Sequence, residues 1–79
     1  MNILKVANSF LGQMQARLIQ KMAAEGFEGW EMWPKHHLIR RLQTKAKKVS
    51  MTTGSERRKH LVDIANFAMM IHYQEEAEE

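Results

Sequence analysis

The chain has 79 residues, a net charge of +3 and no cysteine. One domain over residues 1–79, near the lower size limit for a self-sufficient core, is expected to gain stability from partner subunits. Without cysteine there is no disulfide framework and no thiolate metal site, which is typical of a reducing cytoplasm. No apolar run approaches the ~20 residues that cross a bilayer, and the first residues do not read as a secretory leader, so we expect a soluble, cytoplasmic protein.

The first predicted element is an amphipathic helix from residue 3 to about residue 24. Its apolar residues recur at steps of three and four, which places them on one face of a helix. Gly26 is expected to end this helix, and the aromatic and glycine-rich segment that follows is predicted to be a connection. The apolar positions of the helix are Ile3, Ala7, Phe10, Leu11, Met14, Leu18 and Met22.

A second helix is predicted to begin at Pro34, because proline is tolerated at the first helical position. The polar run at residues 50–55 is predicted to be a loop in which Ser55 caps a third helix. The apolar stripe of the second helix consists of Leu38, Leu42, Ala46 and Val49.

The third predicted helix runs from residue 56 to about residue 74. The acidic tail at about residues 75–79 is expected to fray, because the helix dipole disfavours anions at a C-terminus. The residues predicted to be buried on this helix are Leu61, Ile64, Ala65, Ala68 and Ile71. The sequence therefore predicts an all-α, three-helix protein whose bundle is completed by homo-oligomerisation.

Basic charge is concentrated in the second and third predicted helices. Between residues 35 and 60, nine Lys and Arg residues face a single acid, Glu56, whereas acids outnumber bases in the rest of the chain. Such a like-charge cluster repels itself unless an anion neutralises it, so a phosphate-bearing partner is the first to consider.

The spacing of these residues predicts a pocket between two helices. Arg41, Lys45 and Lys48 share one face of the second helix. If the second and third helices pack antiparallel, this row faces the one that contains His60 and Asp63. The alternative is that the cations simply extend into solvent. The candidate ligand-binding residues are Trp30, Trp33, Arg41, Lys45, Lys48, Arg57, His60, Asp63 and Asn66.

The aromatic residues and histidines allow two readings each. Trp30 and Trp33 could stack on a nucleobase or fill the core. His60 with Asp63 could bind a metal, but two ligands at helical spacing are a weak signal, and the alternatives for His60 are a phosphate hydrogen bond or surface exposure. No nucleophile motif and no glycine-rich phosphate loop is present. We therefore predict no metal and no cofactor.

Three segments resemble one enzyme family. They are Gly29-Trp30-Glu31, Leu38-Ile39-x-Arg41-Leu42 and, most specifically, the DIANFAMMI stretch from Asp63 to Ile71. Together they are similar to the MazG-like all-α nucleoside triphosphate pyrophosphohydrolases, in particular the short phage-type dATP/dGTP pyrophosphohydrolase domains, over roughly residues 20 to 74. The resemblance implies a helical, usually oligomeric fold that holds a nucleotide between helices.

The chain departs from this family at the metal site. In the family, an E-E-x-x-E motif and a later E-x-x-D motif bind magnesium, and of these residues only Asp63 remains here. The glutamate positions are occupied by Thr44, Lys45, Lys48 and His60. Magnesium requires carboxylate oxygens, so hydrolysis is expected to be lost. Asn66 is retained and can still hydrogen-bond a nucleotide.

These features lead to the hypothesis of a non-catalytic nucleotide-binding protein of phage origin. It would sequester a nucleotide or a cyclic nucleotide immune signal, with Lys45 and Lys48 supplying the charge that magnesium supplies in the family. One alternative is a pyrophosphohydrolase that draws carboxylates from Glu56 or a partner chain. Another is a nucleic-acid-binding protein, whose cations would lie on a convex face. A third is an interaction protein that docks on an acidic host protein.

Overall fold

The structure is a computed structural model that describes residues 1–27 and 29–78, so Glu28 of the predicted connection and Glu79 of the predicted tail lie outside it. Over the described residues the chain forms three α-helices and no strand. The helices are α1 (Ile3–Glu25), α2 (Lys35–Met51) and α3 (Gly54–Glu78), with a 3₁₀ turn at Trp30–Met32. The predicted all-α, three-helix fold is confirmed. None of the described helices is long and apolar enough to span a membrane.

The ends of α1 follow from two residues. The side-chain oxygen of Asn2 accepts hydrogen bonds from the backbone N–H groups of Leu4, at 3.0 Å, and Lys5, at 3.4 Å. This satisfies donors that have no partner within the helix. Gly26 ends the helix with φ of +66°, a left-handed conformation that favours glycine. The predicted end of this helix is confirmed.

The predicted loop at residues 50–55 is too long, because only residues 52 and 53 lie outside the helices. α2 continues to Met51 and α3 begins at Gly54, so Ser55 lies inside α3 instead of capping it, and Pro34 precedes the first residue of α2. The hydroxyl groups of Ser50 and Thr52 donate to backbone carbonyls one turn earlier, at 2.9 and 2.7 Å. These polar residues complete the end of α2, which is why only residues 52 and 53 lie between the two helices.

The acidic tail is helical through Glu78. The ammonium group of Lys35, at the start of α2, lies 2.7 Å from a carboxylate oxygen of Glu75 and 2.6 Å from one of Glu78. These exposed ion pairs connect the end of α3 to the start of α2.

The core lies between α2, α3 and the segment that joins α1 to α2. Leu38 and Met70 are fully buried, and Phe27 and Phe67 are each only 4% exposed. The half-buried residues packed against them are Leu18, Trp30, Trp33, Leu42 and Ile71. Because this core is small, most of the surface of α1 remains exposed, and α1 has no fully buried residue.

The predicted buried face of α3 is wrong. The buried residues of this helix are Val62, Asp63, Asn66, Phe67, Met70 and Gln74. Leu61 is 42% exposed and Ala68 is exposed, whereas Ile64, Ala65 and Ile71 are half-buried. The polar side chains that this helix buries are held by partners: the amide N–H groups of Asn66 and Gln74, for example, donate to the backbone carbonyls of Met14 and Trp33, although the buried Oδ1 of Asn66 has no partner among the described residues.

Candidate functional site

A buried carboxylate joins the three helices. Asp63 on α3 is 4% exposed, and its two oxygens lie 2.9 Å from Nε of Arg17 on α1 and 3.0 Å from Nζ of Lys45 on α2. Burial raises the pKa of Asp63, but the hydrogen bonds and charges of Arg17 and Lys45 outweigh it, so the pKa lies below its usual value. The same hydrogen bond raises the pKa of Arg17. Asp63 therefore acts as an ionised link between helices.

A cleft rich in positive charge opens beside this link. It has a volume of about 420 Å³ and lies between the end of α1, Phe27 and one face of α2. Cavities of this size hold small organic ligands. We call it the cationic cleft, and its cationic side chains are Lys21, Arg40, Arg41, Lys45 and Lys48.

The helical spacing of α2 explains why so many cations point into this cleft. His37, Arg41 and Lys45 form one row at steps of four residues, and Arg40, Thr44 and Lys48 form a second row beside it. Residues four apart are neighbours on a helix surface, so both rows face the same direction.

Much of this charge is not neutralised within the chain. Lys21 pairs with Glu25 at 2.9 Å, and Lys45 pairs with Asp63. Arg40, Arg41 and Lys48 form no ion pair with any residue in the described parts of the chain. Three unpaired cations beside one another attract an anion from solution.

Aromatic rings hold Arg41 in place. Its guanidinium carbon lies 5.6 Å from the ring centre of Phe27 and 5.7 Å from those of Trp33 and Phe67. Cation–π attraction at this distance stabilises the position of the charge without cancelling it. The Trp33 ring in turn contacts Phe27 and His37 edge-on, at centroid distances of 5.2 and 5.5 Å.

Of the candidate ligand-binding residues, the structure brings Arg41, Lys45 and Lys48 together in the cationic cleft. Trp33 lies behind Arg41, half-buried against the core. Trp30 also packs on the core, with its ring 5.4 Å from that of Tyr73. Neither tryptophan lines the cleft.

The candidates on α3 lie elsewhere. Arg57 donates from Nε to the carbonyl of Val49, at 2.9 Å, and so completes the end of α2. His60 lines a separate hollow, and its buried Nδ1 has no hydrogen-bond partner among the described residues. Asn66 is bonded to α1, and Asp63 is held by Arg17 and Lys45. The two predicted rows meet at Lys45 and Asp63, which form an ion pair, and at Lys48 and His60, which line one hollow.

Sequence reasoning missed other residues of the cleft. Arg40 could have been found, because it forms a row with Lys48 at the same helical spacing that identified Arg41 and Lys45. Lys21 and Phe27 carry no such signal, since their place depends on how α1 and its connection pack against α2.

The side chains present do not fit the magnesium site of the resembled family. Across residues 1–27 and 29–78, no three His, Cys, Asp or Glu side chains lie close enough together to hold a metal ion. Both oxygens of Asp63 already face cations, and Thr44, Lys45 and Lys48 add no carboxylate. A hard dication needs several oxygen ligands.

No protein-family model, curated protein or solved structure matches this chain. Its relationship to the MazG-like proteins therefore stays a prediction from the sequence, and the geometry of the cationic cleft carries the functional argument.

Proposed function

We propose that this chain binds a nucleotide, or a closely similar phosphate-bearing molecule, in the cationic cleft and does not hydrolyse it. The observation that carries the proposal is the convergence of Arg40, Arg41 and Lys48, which form no ion pair in the described parts of the chain, on one concave site. The one acid among the described residues that line this site, Glu25, pairs with Lys21.

The chemistry of the side chains favours phosphate. A guanidinium group offers a planar fork of N–H donors that matches two phosphate oxygens, and an ammonium group adds a point charge. Arg41 is pre-positioned by three aromatic rings, so less conformational entropy is lost when it binds. The cleft can therefore neutralise more than one phosphate group.

The aromatic lining of the cleft offers little surface to a nucleobase, so we expect the phosphate groups to determine most of the affinity. Phe27 and Phe67 line it, but each ring is only 4% exposed and offers little surface for stacking. Affinity should then increase with the number of phosphates and depend weakly on the base.

The shape of the site favours a small ligand over a nucleic-acid duplex. A duplex binder presents its cations on a convex face, whereas these cations converge in a cleft. Two other basic residues are engaged elsewhere, since Lys35 pairs with the end of α3 and Arg57 completes α2, whereas Lys47, Arg58 and Lys59 are exposed outside the cleft. Binding of a nucleic acid would be detected by the DNA duplex in the calorimetric titration described below.

The proposed biological role is sequestration of a nucleotide or cyclic nucleotide immune signal by a phage protein. The loss of metal-binding carboxylates supports binding without turnover, and the resemblance to phage-type pyrophosphohydrolase domains suggests the setting. The cleft lies within one chain, so binding does not require the self-association that the sequence predicts.

Isothermal titration calorimetry of the full chain against nucleoside mono-, di- and triphosphates, cyclic di- and trinucleotides and a short DNA duplex tests the proposal. We expect submillimolar binding of at least one small phosphate ligand, and no pyrophosphate release when magnesium is added. Absence of binding across the panel, or binding of the duplex alone, would overturn it. Magnesium-dependent pyrophosphate release would show that the chain is an enzyme instead.

A further inference from the structure

The face of α3 turned away from the core is apolar and uncovered. Leu61, Ala65, Ala68 and His72 recur at steps of three and four residues, so they share one side of the helix, with Met69 at its edge. Leu61 is 42% and Met69 41% exposed, and Ala68 and His72 are exposed. We call these five residues the outer face of α3.

The total accessible area of the chain exceeds that of a typical monomer by about the area of one protein interface. The accessible surface of the chain is 5909 Å². A folded monomer of 9.3 kDa is expected to expose about 5,000 Å². The excess of about 900 Å² matches the roughly 800 Å² that each partner buries in a standard protein–protein interface.

The charges at the two ends of the outer face have opposite signs, and they indicate which kind of partner covers this face. Arg58 flanks the face near the start of α3, and Glu76 flanks the same side near the end. Arg58 lies about 13 Å and Glu76 about 14 Å along the helix from the middle of the face, which falls between Ala65 and Ala68. Both side chains are exposed, and a carboxylate oxygen of Glu76 also lies 2.9 Å from Nδ1 of His72 in the same helix. The face is thus complementary to itself when a copy is turned end to end.

We propose that α3 packs antiparallel against α3 of a second copy of the chain, around a two-fold axis that passes between Ala65 and Ala68. The small side chains at the centre allow the two helices to approach closely. Around such an axis each flank of one helix meets the same flank of its copy, so Arg58 faces Glu76 of the second copy, and the reverse pair forms as well. This is the self-complementary arrangement that a two-fold interface requires.

The first half of α1 is also exposed, but its charges do not select a partner in this way. Ile3, Leu4 and Leu11 are 71%, 71% and 48% exposed. No acidic residue occurs before Glu25, so this half of α1 has only Lys5 as a charge and no opposite charge to pair with it in a copy. The first half of α1 therefore lacks the self-complementary pattern that α3 has.

The test is the molar mass of the full chain, measured by size-exclusion chromatography with light scattering. We expect twice the 9.3 kDa of one chain. Ala68→Arg puts two like charges together at the axis and should halve the mass, whereas Ala46→Arg, at an exposed site on α2, should leave the dimer intact. Circular dichroism confirms that each variant is folded, since neither residue is buried.

The orientation is tested by exchanging charges. Arg58→Glu and Glu76→Arg should each weaken the dimer, because each creates two like-charge contacts, and the double variant should restore it. Lys47→Glu, an equal change of charge on α2, should have no effect. The proposal would be overturned if the wild type were monomeric or if the Ala68→Arg variant stayed dimeric. It would also be overturned if Leu11→Arg, a change on the exposed half of α1, dissociated the dimer while Ala68→Arg did not. Failure of the double variant to recover would also contradict the antiparallel pairing.

Discussion

Replacement of Asp63 by asparagine removes the charge that links the three helices. Its two cationic partners, Arg17 and Lys45, are 21% and 19% exposed, so the variant leaves two largely desolvated positive charges beside each other without a counter-ion. Breaking a buried ion pair in this way costs about 3–5 kcal/mol, and partial solvation of both cations places the expected cost at the lower end, about 3 kcal/mol. A chain of this length has a total stability of about 4–12 kcal/mol.

The expected loss is therefore large and easily measured. In a domain of this size 1 kcal/mol corresponds to about 4–8 °C, so the midpoint of thermal unfolding should fall by about 12–24 °C. Circular dichroism with heat and urea measures it, at one fixed protein concentration, because self-association would make the midpoint depend on concentration. Glu31→Gln, at an exposed site without an ion pair in the described residues, is the control and should change stability by less than about 0.5 kcal/mol.

The pH dependence of the same pair of proteins tests the cause. The pKa of Asp63 is lower in the folded than in the unfolded chain, so its stabilising contribution is complete above the unfolded value of about 3.9. It is lost as the pH falls through the folded pKa. The difference between wild type and Asp63→Asn should therefore be constant near neutral pH and narrow in acid. An equally stable variant, or a difference that does not change with pH, would refute this account.

Three other predictions concern the fold and the ligand. Gly26→Ala should destabilise the chain by about 1 kcal/mol, because alanine is strained at a positive φ, whereas Gly12→Ala in the interior of α1 should stabilise it by about 0.5–1 kcal/mol; urea unfolding that ranks them otherwise would contradict the role of Gly26. Leu38→Ala, at a fully buried site, should cost about 2–5 kcal/mol by the same assay, and Ile39→Ala, at a 38% exposed site, much less. Calorimetric affinity should rise from nucleoside mono- to triphosphate and fall with added salt; a strong preference for one base at equal phosphate number would contradict the limited ring exposure in the cleft.

The sequence predicted the helices better than their contacts. The end of α1 was predictable because periodicity and Gly26 are local signals. The link between α2 and α3 was not, because Ser50 and Thr52 donate to carbonyls of α2 where loop formation was expected. Polar residues near a helix end have both options, and composition does not choose between them.

The buried face of α3 shows why counting apolar residues failed. Both sides of this helix are apolar enough to be buried, so the choice depends on Asp63 and Asn66. These side chains can be buried only because Arg17, Lys45 and a carbonyl of α1 meet them, and such tertiary contacts leave no periodic signal.

The candidate site was predictable where it depends on one helix. Arg41, Lys45 and Lys48 face the same cleft because their spacing fixes their direction. The contribution of α3 depended on the rotation of that helix: Asp63 pairs with Lys45 and His60 shares a hollow with Lys48, whereas Asn66 bonds to α1, and none of the three lines the cleft itself.

The central claim is that unpaired cations of the cationic cleft bind phosphate, and a calorimetric titration of a nucleoside triphosphate into three proteins tests it most directly. Wild type is compared with Arg40→Glu/Lys48→Glu and with Lys47→Glu, a charge reversal outside the cleft; Lys45 is left unchanged because it holds Asp63. Loss of two charge-assisted hydrogen bonds, at about 1.5–3 kcal/mol each, should weaken binding by a factor of about one hundred or more in the double variant. The Lys47→Glu protein should bind nearly as wild type does. Equal affinity of the double variant and wild type would contradict the claim, and so would an equal loss of affinity in both variants.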